Sequence, residues 1–364
     1  MGISQIVMYF VGLALIYLAI KKKYEPALLL PMGFGAILVN LPNTSVLNQE
    51  IESIGIVNGV IEVLYKVGIE YAELFPVLLF IGIGAMIDFE PLLQRPYLII
   101  FGLFAQFGIF VAIGFSLLIG FDLKEAISVG MIGAADGPTS ILVSQVLKSE
   151  YIGAISVAAY SYMALVPIIQ PITIKAITTK KERQIKMDCK NKKIPKWLKI
   201  AFPIIVTFVS GLIAPMSISL VGFLMFGNLI KECGVLDSLS KTAQDGLTNL
   251  ITLLLGITIS FSMQADMFVR KETLMIMGIG LIAFVFDAIG GVLVAKIMNL
   301  FLKNKINPMI GASGISAFPM SARVVQKMAQ EENPGNIVLT QAIGANVAGQ
   351  ICSAIVGGLL IMMF

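Results

Sequence analysis

Residues 131–144 read MIGAADGPTSILVS and lie between apolar runs on both sides. An ionised Asp near the bilayer midplane costs about 2.5 to 3.5 kcal/mol on insertion scales. A proline inside a helix costs about 3 kcal/mol relative to alanine. Asp136, Gly137 and Pro138 in succession therefore make a plain transmembrane helix a poor reading of this stretch. A broken segment is expected instead, unwound at Gly137 and Pro138, with freed carbonyl oxygens beside the Asp136 carboxylate and the Thr139 and Ser140 hydroxyls. Hard oxygen donors of that kind suit an alkali cation. The competing reading is a structural kink whose Asp pairs with a basic residue.

Composition places the flanks in hydrocarbon. Hydrophobic residues make up 57% of the 364, and only 13% are charged, against about 25% in soluble domains; the mean hydropathy is +0.90. Runs 3–20, 97–121, 151–174, 273–302 and 336–364 are near or above the roughly 20 residues that cross a bilayer as a helix. Lipid satisfies no backbone groups, so helices rather than open strands are expected to carry the crossings. The first run ends in Lys21, Lys22 and Lys23 rather than a small-residue cleavage site, which predicts a retained first span. Cys189, Cys233 and Cys352 show no pairing or metal spacing and the chain has no histidine, which argues against zinc chemistry and histidine acid-base catalysis.

Residues 175–199 form the one long polar stretch, with ten Lys or Arg, and divide the chain into halves of similar length, 1–174 and 200–364. PMGFGAILVN (31–40) resembles LVGFLMFGNL (220–229), and LYKVGI (64–69) resembles IKECGV (230–235). Each half carries a Gly/Pro-broken insertion, GAADGPTSI at 133 and GASGISAFPMSARV at 311, before a last span rich in small residues. That shared order predicts an internal duplication. If both broken segments (125–147 and 307–329) are re-entrant hairpins, five crossings remain per half. One side then holds 19 of the 26 basic residues, including the 175–199 stretch, Arg95, Lys303 and Lys305, and the positive-inside rule makes that side cytoplasmic. Five is odd, so the second half runs inverted, and the hairpin tips could meet near the midplane. A discontinuous helix that crosses fully would look similar in sequence.

Other polar groups interrupt the hydrocarbon. Tyr160, Ser161 and Tyr162 sit mid-span in YSYMALVP; Tyr160 reads as a packing residue. Asn346 and Gln350 lie at i and i+4 on one helix face among small residues that permit close helix approach. Arg323 cannot shed its charge and suits a carboxylate through paired hydrogen bonds, or else an internal ion pair with Asp136 or Asp287. Asp287 reads as a proton site or as a paired structural carboxylate. The acidic and basic side chains are expected to share a buried chamber between the tips.

GAADGPTSI, YSYMALVP, NPMIGASGISAFPMSARV and QAIGANVAGQ together resemble the signature segments of the beta subunit of the sodium-ion-translocating, biotin-dependent decarboxylases, which act on oxaloacetate, methylmalonyl-CoA, glutaconyl-CoA or malonate. The resemblance runs over essentially the whole chain. Ala135 departs from it, since the family motif often has glycine there. The resemblance implies an all-α polytopic membrane protein of two inverted repeats in the cytoplasmic (inner) membrane. It implies decarboxylation of carboxybiotin, carried on a partner and not on this chain, coupled to sodium export. Asp136 and Asn346 would be sodium ligands, and Ser316 and Tyr162 would lie at a second sodium or proton position. Asn307 and Gly311 would shape the second broken segment, and Arg323 would hold or polarise carboxybiotin. Implied partners are an alpha carboxyltransferase subunit, a biotin carrier protein, a small gamma subunit and two further beta copies in a trimer, with membrane lipid and no nucleic acid. Without these motifs the residues fit a secondary sodium-coupled transporter or antiporter equally well; a non-transporting membrane scaffold accounts poorly for the midspan Asp and Arg.

Overall fold

The computed structural model describes residues 2–23, 26–51, 55–71, 73–187 and 193–364. Cys189 lies outside the described residues. Among them, seven helices are long and apolar enough to cross a membrane: Ile3–Lys21, Pro96–Ile119, Lys196–Ile213, Pro215–Cys233, Asp237–Met263, Lys271–Phe301 and Leu339–Ile361. Two bent pairs add Val60–Glu70 with Leu74–Met86, at 64°, and Ile152–Met163 with Leu165–Ile177, at 67°. The second bend has a cause in the sequence: Pro167 has no N–H to give the Met163 carbonyl one turn back. The shorter apolar helix Pro26–Val39 completes ten segments. At 1.5 Å per residue it spans about 21 Å, less than the roughly 30 Å hydrocarbon core. The fold is all-α and polytopic; the short antiparallel pair Gln49–Ile51 and Gly55–Val57 belongs to a connection, not to a crossing.

Both broken segments return to the face they leave. In the first, Leu123–Gly130 descends, the chain unwinds, and Gly137–Val146 climbs back. The Ser149 hydroxyl donates to Glu125 Oε2 (2.5 Å) and the Glu150 N–H to Glu125 Oε1 (2.9 Å), so entry and exit are side by side. In the second, Met309–Ala312 leads in and Met320–Glu332 leads out. Its ends meet on one atom: Asn307 and Asn336 each donate a side-chain N–H to the Ile185 carbonyl, both at 3.0 Å. The Arg183–Glu332 ion pair, at 2.6 Å, ties the exit to the same stretch. The first hairpin exits into the start of Ile152–Ile177 and the second is anchored just past its end. The two hairpins therefore enter from opposite ends of that helix.

Crossings from the two halves exchange partners. Leu74–Met86 packs on Ile218–Cys233 and Thr248–Ile259 packs on Pro26–Val39. Ile152–Ile177 packs on Lys271–Phe301, and Leu339–Ile361 on Ile99–Phe104. Glycine sets the closest approach. A Cβ on Gly84 would stand 1.8 Å from the Leu224 carbonyl oxygen, and one on Gly227 would stand 2.0 Å from that of Ile81. Asn40 donates to the carbonyl of Met263 (2.8 Å) and Asn228 to that of Ile87 (3.3 Å), each at the end of the helix its own helix packs on. Of the two stretches likened in the sequence, LYKVGI runs into the π-turn Lys66–Glu70, whereas IKECGV ends the helix Ile218–Cys233; a second π-turn lies at Thr242–Leu247.

Candidate cation site at the hairpin tips

Local sequence builds the first tip. Ala135 adopts a left-handed φ of 51°, which turns the chain out of the 3-10 turn Met131–Ala134. Asp136 is extended, at φ −131° and ψ 97°, and Pro138 stands in the first turn of Gly137–Val146, where its missing N–H costs nothing. Gly137 is needed because the Tyr160 ring lies against it: a Cβ there would stand 2.2 Å from the ring carbon bearing the hydroxyl. The predicted unwinding is therefore confined to Ala135 and Asp136.

The two tips touch. The Ser316 backbone N–H donates to the Ala134 carbonyl at 3.3 Å. Leu339–Ile361 presses on both tips, and a Cβ on Gly349 would stand 2.0 Å from the Gly314 carbonyl oxygen. Its side-chain amides are pinned by donation: Asn346 Nδ2 to the Ile315 carbonyl at 2.6 Å, and Gln350 Nε2 to the Ser316 carbonyl. The Ser316 hydroxyl donates to the Gly349 carbonyl at 3.0 Å. One turn on, the Ser353 hydroxyl donates to Asp136 Oδ2 at 2.8 Å, where the Thr139 hydroxyl also donates at 2.7 Å.

Asp136, Ser316 and Asn346, from three separate elements, thus join one buried polar cluster. It is under-satisfied. Asn346 Oδ1, Gln350 Oε1 and the Tyr160 hydroxyl are buried with no hydrogen-bond partner. A buried oxygen without a donor costs about 1 to 3 kcal/mol, and several in one cluster beside a carboxylate fit a bound cation. No described ion pair involves Asp136, Asp287 or Arg323, so the kink reading lacks its basic partner among the described residues.

The remaining candidates lie elsewhere. The Tyr162 hydroxyl donates to the Met277 carbonyl, and its ring packs on Gly280 of Lys271–Phe301. The tyrosine against the Asp136 segment is Tyr160. Asn307 spends its amide on the Arg183 and Ile185 carbonyls, at 2.8 and 3.0 Å, and accepts from the Met309 N–H at 3.1 Å. Gly311 meets Gly291 backbone to backbone; a Cβ on either would stand 2.0 Å from the other's carbonyl oxygen. Asp287 Oδ1 accepts the Gly108 N–H at 2.7 Å, capping the helix that restarts after the break at Ala105 and Gln106, while Oδ2 has no partner. Arg323 is exposed on the first turn of Met320–Glu332. This corrects the expectation of one chamber enclosing both charges, because the second hairpin's return helix is amphipathic and turns this position outward. Sequence reasoning missed Ser353. Its signal was the spacing Asn346, Gln350, Ser353, which continues one polar face at i, i+4 and i+7.

The model of the Na+-transporting oxaloacetate decarboxylase beta subunit matches residues 4–364. The chain belongs to that beta-subunit family. It is 41% identical to oxaloacetate decarboxylase beta chain 2 of Salmonella typhi, over 99% of this chain and 95% of the relative. It is 43% identical to the methylmalonyl-CoA decarboxylase subunit beta of Propionigenium modestum, over 100% and 96%. It is 44% identical to the glutaconyl-CoA decarboxylase subunit beta of Acidaminococcus fermentans, over 98% and 92%. As a beta subunit, the chain is a membrane component of a decarboxylase of the sodium-transporting kind, and biotin dependence is implied by the family.

Proposed function

We propose that this beta subunit decarboxylates carboxybiotin presented by a partner carrier protein and couples the reaction to export of sodium across the cytoplasmic membrane. The observation that carries the reading is the contact between Ser316 and Ala134 at the tips of two hairpins from opposite faces, beside a buried carboxylate. One tip offers a cation a route from one face and the other a route to the opposite face, as inverted-repeat transporters require.

In the chemical step the bond between the ureido nitrogen and the carboxylate carbon breaks, carbon dioxide leaves, and one proton is taken up to restore the N–H. Sodium is the cargo. Asp136, Asn346 and Ser316 supply its oxygen ligands, with Tyr162 at a second sodium or proton position. Asn307 and Gly311 hold the second hairpin in register. Arg323, exposed on the tip-proximal first turn of the hairpin that enters from the face carrying the basic linker, receives the carboxylate. That face is cytoplasmic in this reading, which suits a soluble carrier and an alpha carboxyltransferase subunit, with a small gamma subunit and a beta trimer completing the assembly. Halves 1–174 and 200–364, joined by the 175–199 linker, are taken as inverted repeats. The exchanged packing and the paired roles of Asn40 and Asn228 support this.

The test is Asp136→Asn in the assembled complex. The carboxamide keeps the shape and accepts the same two hydroxyls, so the fold persists while sodium-dependent decarboxylation is lost. Full activity with ordinary sodium stimulation sinks the assignment. Avidin separates the runner-up: blocking biotin stops sodium uptake into inverted vesicles under this reading and leaves a secondary transporter untouched.

A further inference from the structure

Apart from the hairpin tips, a cleft of about 460 Å³ runs between the first span Ile3–Lys21, the helix Ile152–Ile177 and the start of Lys271–Phe301. Its level in the membrane follows from the ends of those helices. Lys296, near the end of the long helix, donates to the Ile177 carbonyl at 2.8 Å. The long helix and Ile152–Ile177 therefore end together, and Lys271 begins at the face opposite the basic linker, where the first hairpin exits. Val7, Met8, Val11 and Leu15 line the cleft over two turns of the first span, about 12 Å of rise, and Met277 lines it from the long helix. One end is thus at the membrane surface and the rest is an apolar channel along the spans.

The surface end carries donors. Arg270 is the N-cap of the long helix and Lys271 its first residue, and no side chain caps that end. Cations oppose the partial positive charge of a helix N-terminus, a position that favours an anion. Both line the cleft, and neither enters an ion pair among the described residues; Arg270 Nε donates to the Asp266 carbonyl at 2.8 Å. The acidic residues on either side, Asp266 and Glu272, lie outside the lining, and Glu272 stands close to Tyr151. Thr273 supplies the independent observation. It lines the same cleft, is 2% exposed, and its hydroxyl has no hydrogen-bond partner. A helical threonine can spend its hydroxyl on a carbonyl one turn back, as Thr173 does on that of Ile169 at 3.0 Å; Thr273 does not. A soluble anion would use this donor end alone. An amphiphile uses it together with the apolar channel and with Leu274, 73% exposed beside it.

We propose that this cleft binds an anionic phospholipid, with its phosphate held by Arg270, Lys271 and the Thr273 hydroxyl and one acyl chain lying between the first span and the long helix. The lipid joins the amino-terminal span of one half to a span of the other. It is a site distinct from Asp136, and its occupancy does not depend on the decarboxylation reading.

The experiment places the full-length chain in nanodiscs of phosphatidylcholine with graded phosphatidylglycerol and counts retained lipid by native mass spectrometry. Wild type keeps phosphatidylglycerol in preference to phosphatidylcholine. Lys271→Gln and Thr273→Val each remove a hydrogen bond to a charged group and lower that retention by roughly tenfold. Thr273→Ser, which keeps the hydroxyl, and Lys124→Gln, outside the cleft lining, leave it unchanged. In phosphatidylcholine alone Thr273→Val unfolds no earlier than wild type, because the valine replaces a hydroxyl that has no partner there; this separates loss of the ligand from loss of the fold. Retention at the wild-type level by Lys271→Gln and Thr273→Val overturns the proposal. So does equal retention of the two lipids by wild type, which would leave an apolar groove without headgroup recognition. Displacement of the lipid by millimolar inorganic phosphate overturns it as well, since the cleft would then be a site for soluble anions.

Discussion

Replacing Gly311 by alanine tests whether this residue acts by touching a ligand or by letting two backbones meet. The added Cβ would stand 2.0 Å from the Gly291 carbonyl oxygen, and the reciprocal Cβ on Gly291 would stand 2.0 Å from that of Gly311. Carbon and carbonyl oxygen rest at about 3.3 Å or more, so Lys271–Phe301 and the second hairpin must part by about 1.3 Å. Neither partner is a flexible side chain that can swing aside, so the cost falls in the upper part of the roughly 1 to 3 kcal/mol typical of overpacking. Thermal unfolding of the purified chain in mild detergent, beside decarboxylation by the assembled complex, reads it. Gly311→Ala and Gly291→Ala should lower stability and activity by similar amounts, and the double variant should cost less than their sum because both relieve one contact. Gly278→Ala is the control on the same long helix: its Cβ meets nothing within 4 Å, and a helical Gly→Ala change there stabilises by up to about 1 kcal/mol. If Gly311→Ala abolishes activity at unchanged stability while Gly291→Ala is silent, the packing argument is wrong and Gly311 contacts a ligand.

Three shorter predictions concern the first tip, the two hairpins and the linker. Ala135→Gly relieves a left-handed φ of 51° that costs alanine about 1 to 2 kcal/mol, partly offset by glycine's larger entropy loss of about 0.5 to 1 kcal/mol; unfolding should rise by up to about 1 kcal/mol, and a comparable fall would show that no strain resides there. Single cysteines at Glu125 and Lys148 should react with an impermeant maleimide from one face, and those at Lys303 and Lys327 from the other; labelling of Glu125→Cys and Lys148→Cys from opposite faces would replace the hairpin by a crossing. Glu182 is pushed up by partial burial, but the Thr179 N–H and hydroxyl and the Lys296 ammonium outweigh this and hold it below the ordinary carboxylate value. A depressed carboxylate stabilises above its unfolded pKa of about 4.3 and loses that contribution as pH falls through the folded one. Amide protection across 179–186 should therefore drop in that acid window in wild type and stay low and flat in Glu182→Gln; a flat wild-type profile refutes the coupling.

Spans were legible because hydrocarbon demands long apolar helices, and the hairpins were legible because only an odd number of crossings per half, hence an even number after the first span, puts Lys21 and the 175–199 stretch on one side. Arg95, Lys186, Lys303 and Lys305 lining one cleft is what that parity requires. The break at Ala105 and Gln106 was not legible. It carries no Gly-Pro signal, and its free N–H is satisfied by Asp287, 179 positions on from Gly108. Tyr160 and Ser353 escaped for the same reason. Helices that are apolar on every face carry little periodic signal, so which residue of Tyr160 and Tyr162 turns to Asp136 is decided by packing and not by composition.

The arrangement at the tips has a further physical consequence. Asn346 and Gln350 use their N–H groups to hold the carbonyls of Ile315 and Ser316, and this leaves both side-chain oxygens unpaired. The same two side chains therefore fix the second hairpin and furnish oxygens toward the cluster that contains Asp136. A cation drawn to those oxygens cannot be felt by Asp136 alone: any shift of the second tip also moves the amides that would hold it. Coupling between an event at the second hairpin and the cation site needs no long pathway in such a geometry, because the hairpin's backbone and the candidate ligands are joined through single hydrogen bonds. A link of that local kind is what the proposed coupling of decarboxylation to sodium export requires, and the Ser316 to Ala134 contact is the point at which both tips would have to part.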